Sequence, residues 1–313
     1  MDRLPEDPIL EFNSNTLQDM RRTYNLDRPE ALKAAIDNLE DWVKKQNHFK
    51  KKDFSRDYLE RTLIFNKGSV EKSKRKIDKL CTLRGLMPKY YVAYDLKKDF
   101  DFEGAVHHAF LPKMTNDNTR IFILRNVGQK FKSNMVEEYF KAMLVSMEYL
   151  KANDYSDGIS FLIDYTQVNL IDLAMNMNPI ELKQVHTLLV DGYSTRMAGI
   201  HILSPSKLVD FIVLLFKQIV NEKLAKRITV HAELRSLYKY LPKDILPSDY
   251  GGQERSLEEL HSKLLIVILT SDEAKQLRAS MAAATTDETL RPQDKFNEEY
   301  MGMPGSFRSF SLD

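Results

Sequence analysis

Residues 199–231 read GIHILSPSKLVDFIVLLFKQIVNEKLAKRITVH, and the texture of the chain changes three times within them. Gly199 to Leu203 is a short apolar run of strand length, Ser206 to Val220 carries apolar residues at helical spacing, and Arg227 to His231 is again strand-like. Strand, helix, strand is the repeating unit of a parallel sheet. The unit recurs upstream: strand Ile121 to Leu124, a helix over Ser133 to Leu150 with Met135, Tyr139, Met143 and Met147 on one face, and strand Ile159 to Ile163 after the Asp157-Gly158 turn. Asn178-Pro179 opens a further helix that Gly192 ends. Four strands separated by helices predict an α/β fold with a mainly parallel sheet. Their continuous apolar character agrees, because parallel strands are covered on both faces.

The first hundred residues read as helices instead. Arg28-Pro29-Glu30 starts one, with proline where its missing N–H costs nothing, and Leu32, Ile36, Leu39 and Val43 follow at helical spacing. Ser55 to Phe65 is a second, Gly68-Ser69 a break, and Ser69 the cap of a third through Val70, Ile77 and Leu80. Ser256-Leu257-Glu258-Glu259 is a capping box before a C-terminal apolar helix, and the small polar stretch Ser280 to Thr289 is expected to be mobile. The organisation expected is an N-terminal helical module over 1–98, an α/β domain over 99–255, and a helix and tail over 256–313.

Composition excludes several classes. At 313 residues, 43% apolar and 29% charged, with one cysteine, the chain is neither disordered nor disulfide-stapled nor a cysteine-rich zinc protein. No apolar run approaches the ~18 residues that span a bilayer, and Met1 to Phe12, with four acidic residues, does not read as a secretory signal. A soluble, cytoplasmic protein is expected. Net charge is only +1, yet residues 41–90 hold 15 Lys and Arg against 6 Asp and Glu. Lys50, Lys51, Lys52, Lys72, Lys74, Arg75, Lys76 and Lys79 read as solvated helix faces, with an anionic contact as the rival reading. Phe49, Phe54, Tyr58 and Phe65 fall among them at core-packing rather than stacking-platform spacing, and no nucleic-acid partner is expected.

A search for catalytic chemistry finds little. Gly192-Tyr193-Ser194-Thr195-Arg196 lacks the second glycine of a nucleophile elbow, and Gly128-Gln129-Lys130 has a lysine without a phosphate-cradling loop. His107-His108 reads as a surface pair and Cys81 as a buried, inert thiol. No metal or cofactor and no enzymatic activity are expected. One helix is odd: ten of the thirteen residues from Leu208 to Val220 are apolar. Such a helix is either buried on all sides or faces two apolar environments in turn.

Three motifs then fall in order: His201-Ile202-Leu203-Ser204-Pro205, Glu222-Lys223-Leu224-Ala225-Lys226-Arg227-Ile228, and Leu246-Pro247-Ser248-Asp249-Tyr250-Gly251-Gly252. Their order and spacing resemble the CRAL-TRIO lipid-binding family, in the branch of tocopherol-transfer and retinaldehyde-binding proteins. Gly158 to Asp164 resembles the family's central strand, residues 55–80 its N-terminal module, and Gly305-Ser306-Phe307-Arg308 the C-terminal end of arthropod-type members. The resemblance implies a three-helix N-terminal bundle and a sheet that floors an apolar cavity. It also implies a mobile gate helix, here 206–220, that closes the cavity.

On that basis Phe161, Ile163, Val185, Leu189, Val209, Ile212 and Phe216 are the expected ligand-cavity residues. Lys223 and Arg227 match two basic residues of the branch's phosphoinositide site, and Arg196 a third, while Ala198 and Asn66 depart from that pattern. The function implied is binding and intracellular transfer of a small hydrophobic ligand such as a tocopherol, retinoid or carotenoid, by a monomer that docks transiently on phosphoinositide-containing membranes. A lipid-sensing scaffold and a lipid esterase are the rival readings; a Ser–His pair in the cavity would favour the esterase.

Overall fold

The computed structural model describes residues 4–91, 106–127 and 135–292. The 98/99 boundary, Gly128-Gln129-Lys130 and Gly305 to Arg308 lie outside the described residues. The chain begins with α1 (Thr16–Thr23), α2 (Pro29–Lys45), α3 (Arg56–Phe65) and α4 (Val70–Leu86). Pro29 takes the first turn of α2, and the hydroxyls of Ser55 and Ser69 cap α3 and α4 by accepting from Tyr58 N and Lys72 N. The bundle therefore has a fourth helix, α1, whose Leu17 and Met20 join Leu39, Leu63 and Ile77 in one core. Phe49, Phe54 and Tyr58 are buried there too, and so is Cys81, whose thiol burial pushes up to about 12. Lys76 departs from the solvated-face reading: its ammonium donates to Val190 O at 2.9 Å and pairs with Asp191 at 3.3 Å.

The second layer alternates strand and helix: β1 (Val106–Phe110), β2 (Thr119–Asn126), α5 (Met135–Asn153), β3 (Gly158–Asp164), α6 (Leu170–Asn176), α7 (Pro179–Thr187), β4 (Met197–Leu203), α8 (Val209–Ile219), α9 (Glu222–Ala225), β5 (Ile228–His231) and α10 (Leu234–Leu237). A π turn over Leu188–Gly192 continues α7. The sheet runs β1-β2-β3-β4-β5, parallel throughout except that β1 is antiparallel to β2. β1 contains His107-His108, which is therefore not a surface pair. His108 is fully buried, its backbone N–H and carbonyl facing His261 Nδ1 at 3.3 and 3.0 Å, and His107 stacks on the His261 ring. The histidines are neutral in this setting, since burial lowers the pKa of each.

His261 belongs to α11 (Leu257–Thr270), which covers β1 and starts with the complete Ser256/Glu259 capping box. After α12 (Asp272–Ala283) the chain packs rather than hangs free. Ala284 is fully buried, Thr286 bridges Phe49, Asp287 N donates to His48 O at 2.7 Å, and Arg291 pairs with Asp78 at 2.7 Å. The stretch 280–289 is thus a clasp on α2 and α4, its small residues suited to close packing rather than to mobility.

The Leu246-to-Gly252 motif is a staple at the strand ends. Tyr250 is buried and donates to Asp164 Oδ2 at 3.0 Å, and Asp249 pairs with Arg125 at 2.8 Å. Gly251 adopts φ +71°, and a Cβ on Gly252 would lie 1.9 Å from Leu246 O, so no other residue closes this turn without moving the backbone.

Candidate ligand cavity

Side chains two apart on a strand share a face. Phe122, Leu124 and Asn126 of β2, Phe161 and Ile163 of β3 with Tyr165 beyond its end, and Ile200 of β4 make one such face and floor a cavity. Tyr139, Phe140 and Met143 of α5 and Leu182, Val185, His186 and Leu189 of α7 and its π turn wall it, while Phe216, Ile219 and Val220 roof it. About 1120 Å³ is unfilled by atoms, the mouth included, and among the described residues no Asp, Glu, Lys or Arg lines it. Aromatic and aliphatic packing against the sheet on one side and α8 on the other keeps this space dry and apolar, the usual setting for a small-molecule site.

Of the seven expected cavity residues, Phe161, Ile163, Val185, Leu189 and Phe216 line it. Val209 and Ile212 do not. They are buried with Tyr165, Leu170, Leu173 and Ile202. The first turns of α8 lie on α6 and the end of β4, and only its last turns, from Phe216 onward, overhang the cavity. The opposite face of α8 is bare: Phe211 is 55% and Leu214 59% exposed, and Leu208 continues the row. Exposed Ile171 and Met175 of α6, which touches α8, and Ile180 of α7 extend this apolar surface. The helix thus has two apolar faces, one toward the cavity and one toward solvent.

The three basic residues gather at the entry to β4 and β5. Arg196 immediately precedes β4 and is ion-paired with Asp157, with Tyr24 Oη accepting at 3.4 Å. Arg227 precedes β5 and donates to Met197 O at 2.6 Å. Lys223, on α9, is exposed and has no ion pair among the described residues. Asn66 is buried and donates to Thr62 O at 2.8 Å, so it faces its own helix rather than this group.

Ser–His pairs occur off the cavity. His108 Nε2 lies 3.3 Å from Ser146 Oγ and His231 Nδ1 3.1 Å from Ser236 Oγ, but each serine donates to a backbone carbonyl, of Ala142 and Glu233, and none of the four lines the cavity. The polar cavity residues Asn126, Tyr139, Tyr165 and His186 escaped the sequence reading. Asn126 had a signal, a polar residue in period two with Phe122 and Leu124; His186, on a helix with mixed neighbours, had none.

Residues 106–252 match a family model described as the CRAL/TRIO domain. The chain is similar to the alpha-tocopherol transfer protein-like proteins of Mus musculus, 29% identical over 151 residues (47% of this chain and 44% of that protein), and of Homo sapiens, 28% over 163 residues (50% and 47%). It is 26% identical to Clavesin-1 of Xenopus laevis over 136 residues (42% and 41%). The matched stretch spans less than half the length of these curated relatives. Among solved structures, the crystal structure of Sfh5 aligns with a TM-score of 0.44 at 14% identity, covering 83% of this chain and 98% of that one.

Proposed function

We propose that this chain, whose residues 106–252 match the CRAL/TRIO domain model, is a member of the CRAL-TRIO family that binds one small hydrophobic molecule under α8 and carries it between membranes. The observation that supports this most is the pairing of an apolar cavity with an apolar outer face on the same helix. A ligand held in the cavity gains about 25 cal/mol for each Å² removed from water. Exchange with a bilayer, where that gain vanishes, needs the helix to trade solvent for lipid on its outer side. Docking on anionic membranes is favoured by Lys223 and Arg227, beside the same end of the sheet, and association is peripheral and reversible. Among the described residues no helix is long and apolar enough to cross a membrane. Arg196 contributes less than the resemblance implies, because Asp157 already neutralises it.

The test has two parts. Mass spectrometry of lipid extracted from the purified protein should return one lipid class at close to one molecule per chain, and the protein should accelerate transfer of that lipid from donor to acceptor vesicles. Binding without accelerated transfer would leave a lipid sensor in place of a carrier, and a cavity without lipid that takes none up would remove both.

A further inference from the structure

The sheet has two edges. α11 packs along β1 at one of them; at the other, no strand among the described residues pairs with the outer side of β5. Ile200 N donates to Arg227 O and Ser204 N to His231 O, so residues 227, 229 and 231 turn their backbone groups toward β4. Ile228 and Val230 turn theirs outward, and no backbone group among the described residues meets them. Val230 is 37% exposed. The devices that usually blunt such an edge are missing from it. Ile228, Thr229 and Val230 include no charge and no proline, and the Arg227 guanidinium folds back onto Met197 O at 2.6 Å.

We infer that β5 pairs with β5 of a second copy of this chain, antiparallel and centred on Thr229, so that the two sheets become one. The outward groups are spaced for this. Ile228 lies opposite Val230 of the second copy, and Val230 opposite Ile228; each pair exchanges both N–H···O bonds, and the two Thr229 residues face each other between them. β-Branched side chains across such a ladder are favourable neighbours. Charge picks the second copy and the direction. Lys226 precedes the strand and Glu233 follows it, both exposed. Antiparallel pairing sets each Lys226 beside Glu233 of the second copy, whereas parallel pairing would set like charge against like. Lys226 now meets only Glu222, at 72% and 84% exposure, a contact readily exchanged. The two-fold axis runs through the sheet, so neither copy is turned over. Ile228 and Val230 share the face of Ile200 and Ile202, the cavity side, and both α8 helices therefore end on the same side of the joined sheet. So short an edge buries little area, which makes the dimer weak and concentration-dependent. Pairing does not depend on the carrier reading.

Cross-linking of the full chain tests the register. Facing Thr229 residues would have Cα atoms about 4.5 Å apart, inside the roughly 4.4–6.8 Å that a disulfide spans, and the two Val230 residues roughly 9 Å apart, outside it. Thr229→Cys should therefore give a covalent dimer on mild oxidation and Val230→Cys at least about fivefold less; the native Cys81 is fully buried and does not compete. In sedimentation velocity the wild type should shift from monomer towards dimer between about 10 and about 300 µM, the range of a small interface. Val230→Pro removes an outward donor and leaves the β4 ladder intact, and it should stay monomeric throughout. A wild type that is monomeric at every concentration, with no Thr229→Cys cross-link, would overturn the inference; so would a monomer whose β5 edge takes up a strand of another protein. Equal cross-linking of the two cysteine variants, or a dimer that survives in Val230→Pro, would place the contact elsewhere and overturn it as well. Should Val230→Pro not fold, the cross-linking ratio still decides.

Discussion

Phe211→Ala with Leu214→Ala strips the outer face of α8 while leaving the residues above the cavity in place. Burying a whole Phe or Leu side chain stabilises by about 1.5–3 kcal/mol, and since 55% and 59% of these two are exposed, membrane contact has about 1 kcal/mol to gain from each. The double variant should therefore lose about 2 kcal/mol of membrane partition, roughly a thirtyfold drop. Alanine is the best helix former, and the two side chains are mostly in solvent, so the unfolding free energy should move by less than about 0.5 kcal/mol. Co-sedimentation with vesicles over a range of lipid concentrations gives the partition coefficient, and lipid loading in solution gives the control. Unchanged partition in a correctly folded double variant would refute the two-sided view of α8. A parallel loss of ligand binding would show that these residues act on the cavity instead.

Phe216→Asp should weaken ligand binding at least tenfold, because the carboxylate enters a lining that offers no cation among the described residues; competition with Nile red measures this. Lys223→Glu should lower binding to anionic vesicles by about 2 kcal/mol, roughly thirtyfold, at low salt and much less at 1 M, since each basic group near such a surface contributes about 1 kcal/mol; equal binding of variant and wild type at low salt would exclude this lysine from the docking surface. Asp154→Asn leaves Arg120, fully buried and paired at 2.8 Å, without its counter-charge. The cost should be about 3–5 kcal/mol, lowering the melting temperature by roughly 10 °C in calorimetry; a drop under about 3 °C would mean the ion pair is dispensable. His201 and His261 are both lowered to about 4 by burial, against about 6.5 when unfolded. The unfolded chain thus binds more protons between those values, and stability should be level above pH 6.5, fall as pH drops towards 4, and level off below. Urea midpoints at pH 7.5, 6 and 5 would show it, and His201→Gln should flatten the slope.

Four of the five strands were legible because Ile121 to Leu124, Ile159 to Ile163, Gly199 to Leu203 and Arg227 to His231 are short runs between helices. β1 was not, because His107 and His108 interrupt its apolar pattern and their burial depends on His261, 153 residues later than His108. Helical period alone could not separate Val209 and Ile212 from Phe216. All three lie on inward positions of α8, and which neighbour each meets is decided by where α6 ends, a tertiary fact. The clasp at 280–289 was misread for a related reason: alanine and threonine score as loop-like until the surface they pack on is known. Caps were the most reliable local signal, since Ser69 and Ser256 act within three residues of themselves.

The π turn that ends α7 has a consequence for the N-terminal helices. Gly192 lies against Leu80 and Leu83 of α4 so closely that a Cβ there would come within 3.1 Å of Leu80 Cδ1, and Lys76 of the same helix holds Val190 O and Asp191. The other end of this wall carries Val185, His186 and Leu189 into the cavity. Cargo and N-terminal bundle therefore press on opposite sides of one thin partition. A molecule that fills the cavity stiffens that partition and, by linkage, raises the free energy needed to open α4. Backbone amides of α4, far from any lipid, should exchange with solvent more slowly when the cavity is loaded, so the bundle reports occupancy without touching the cargo.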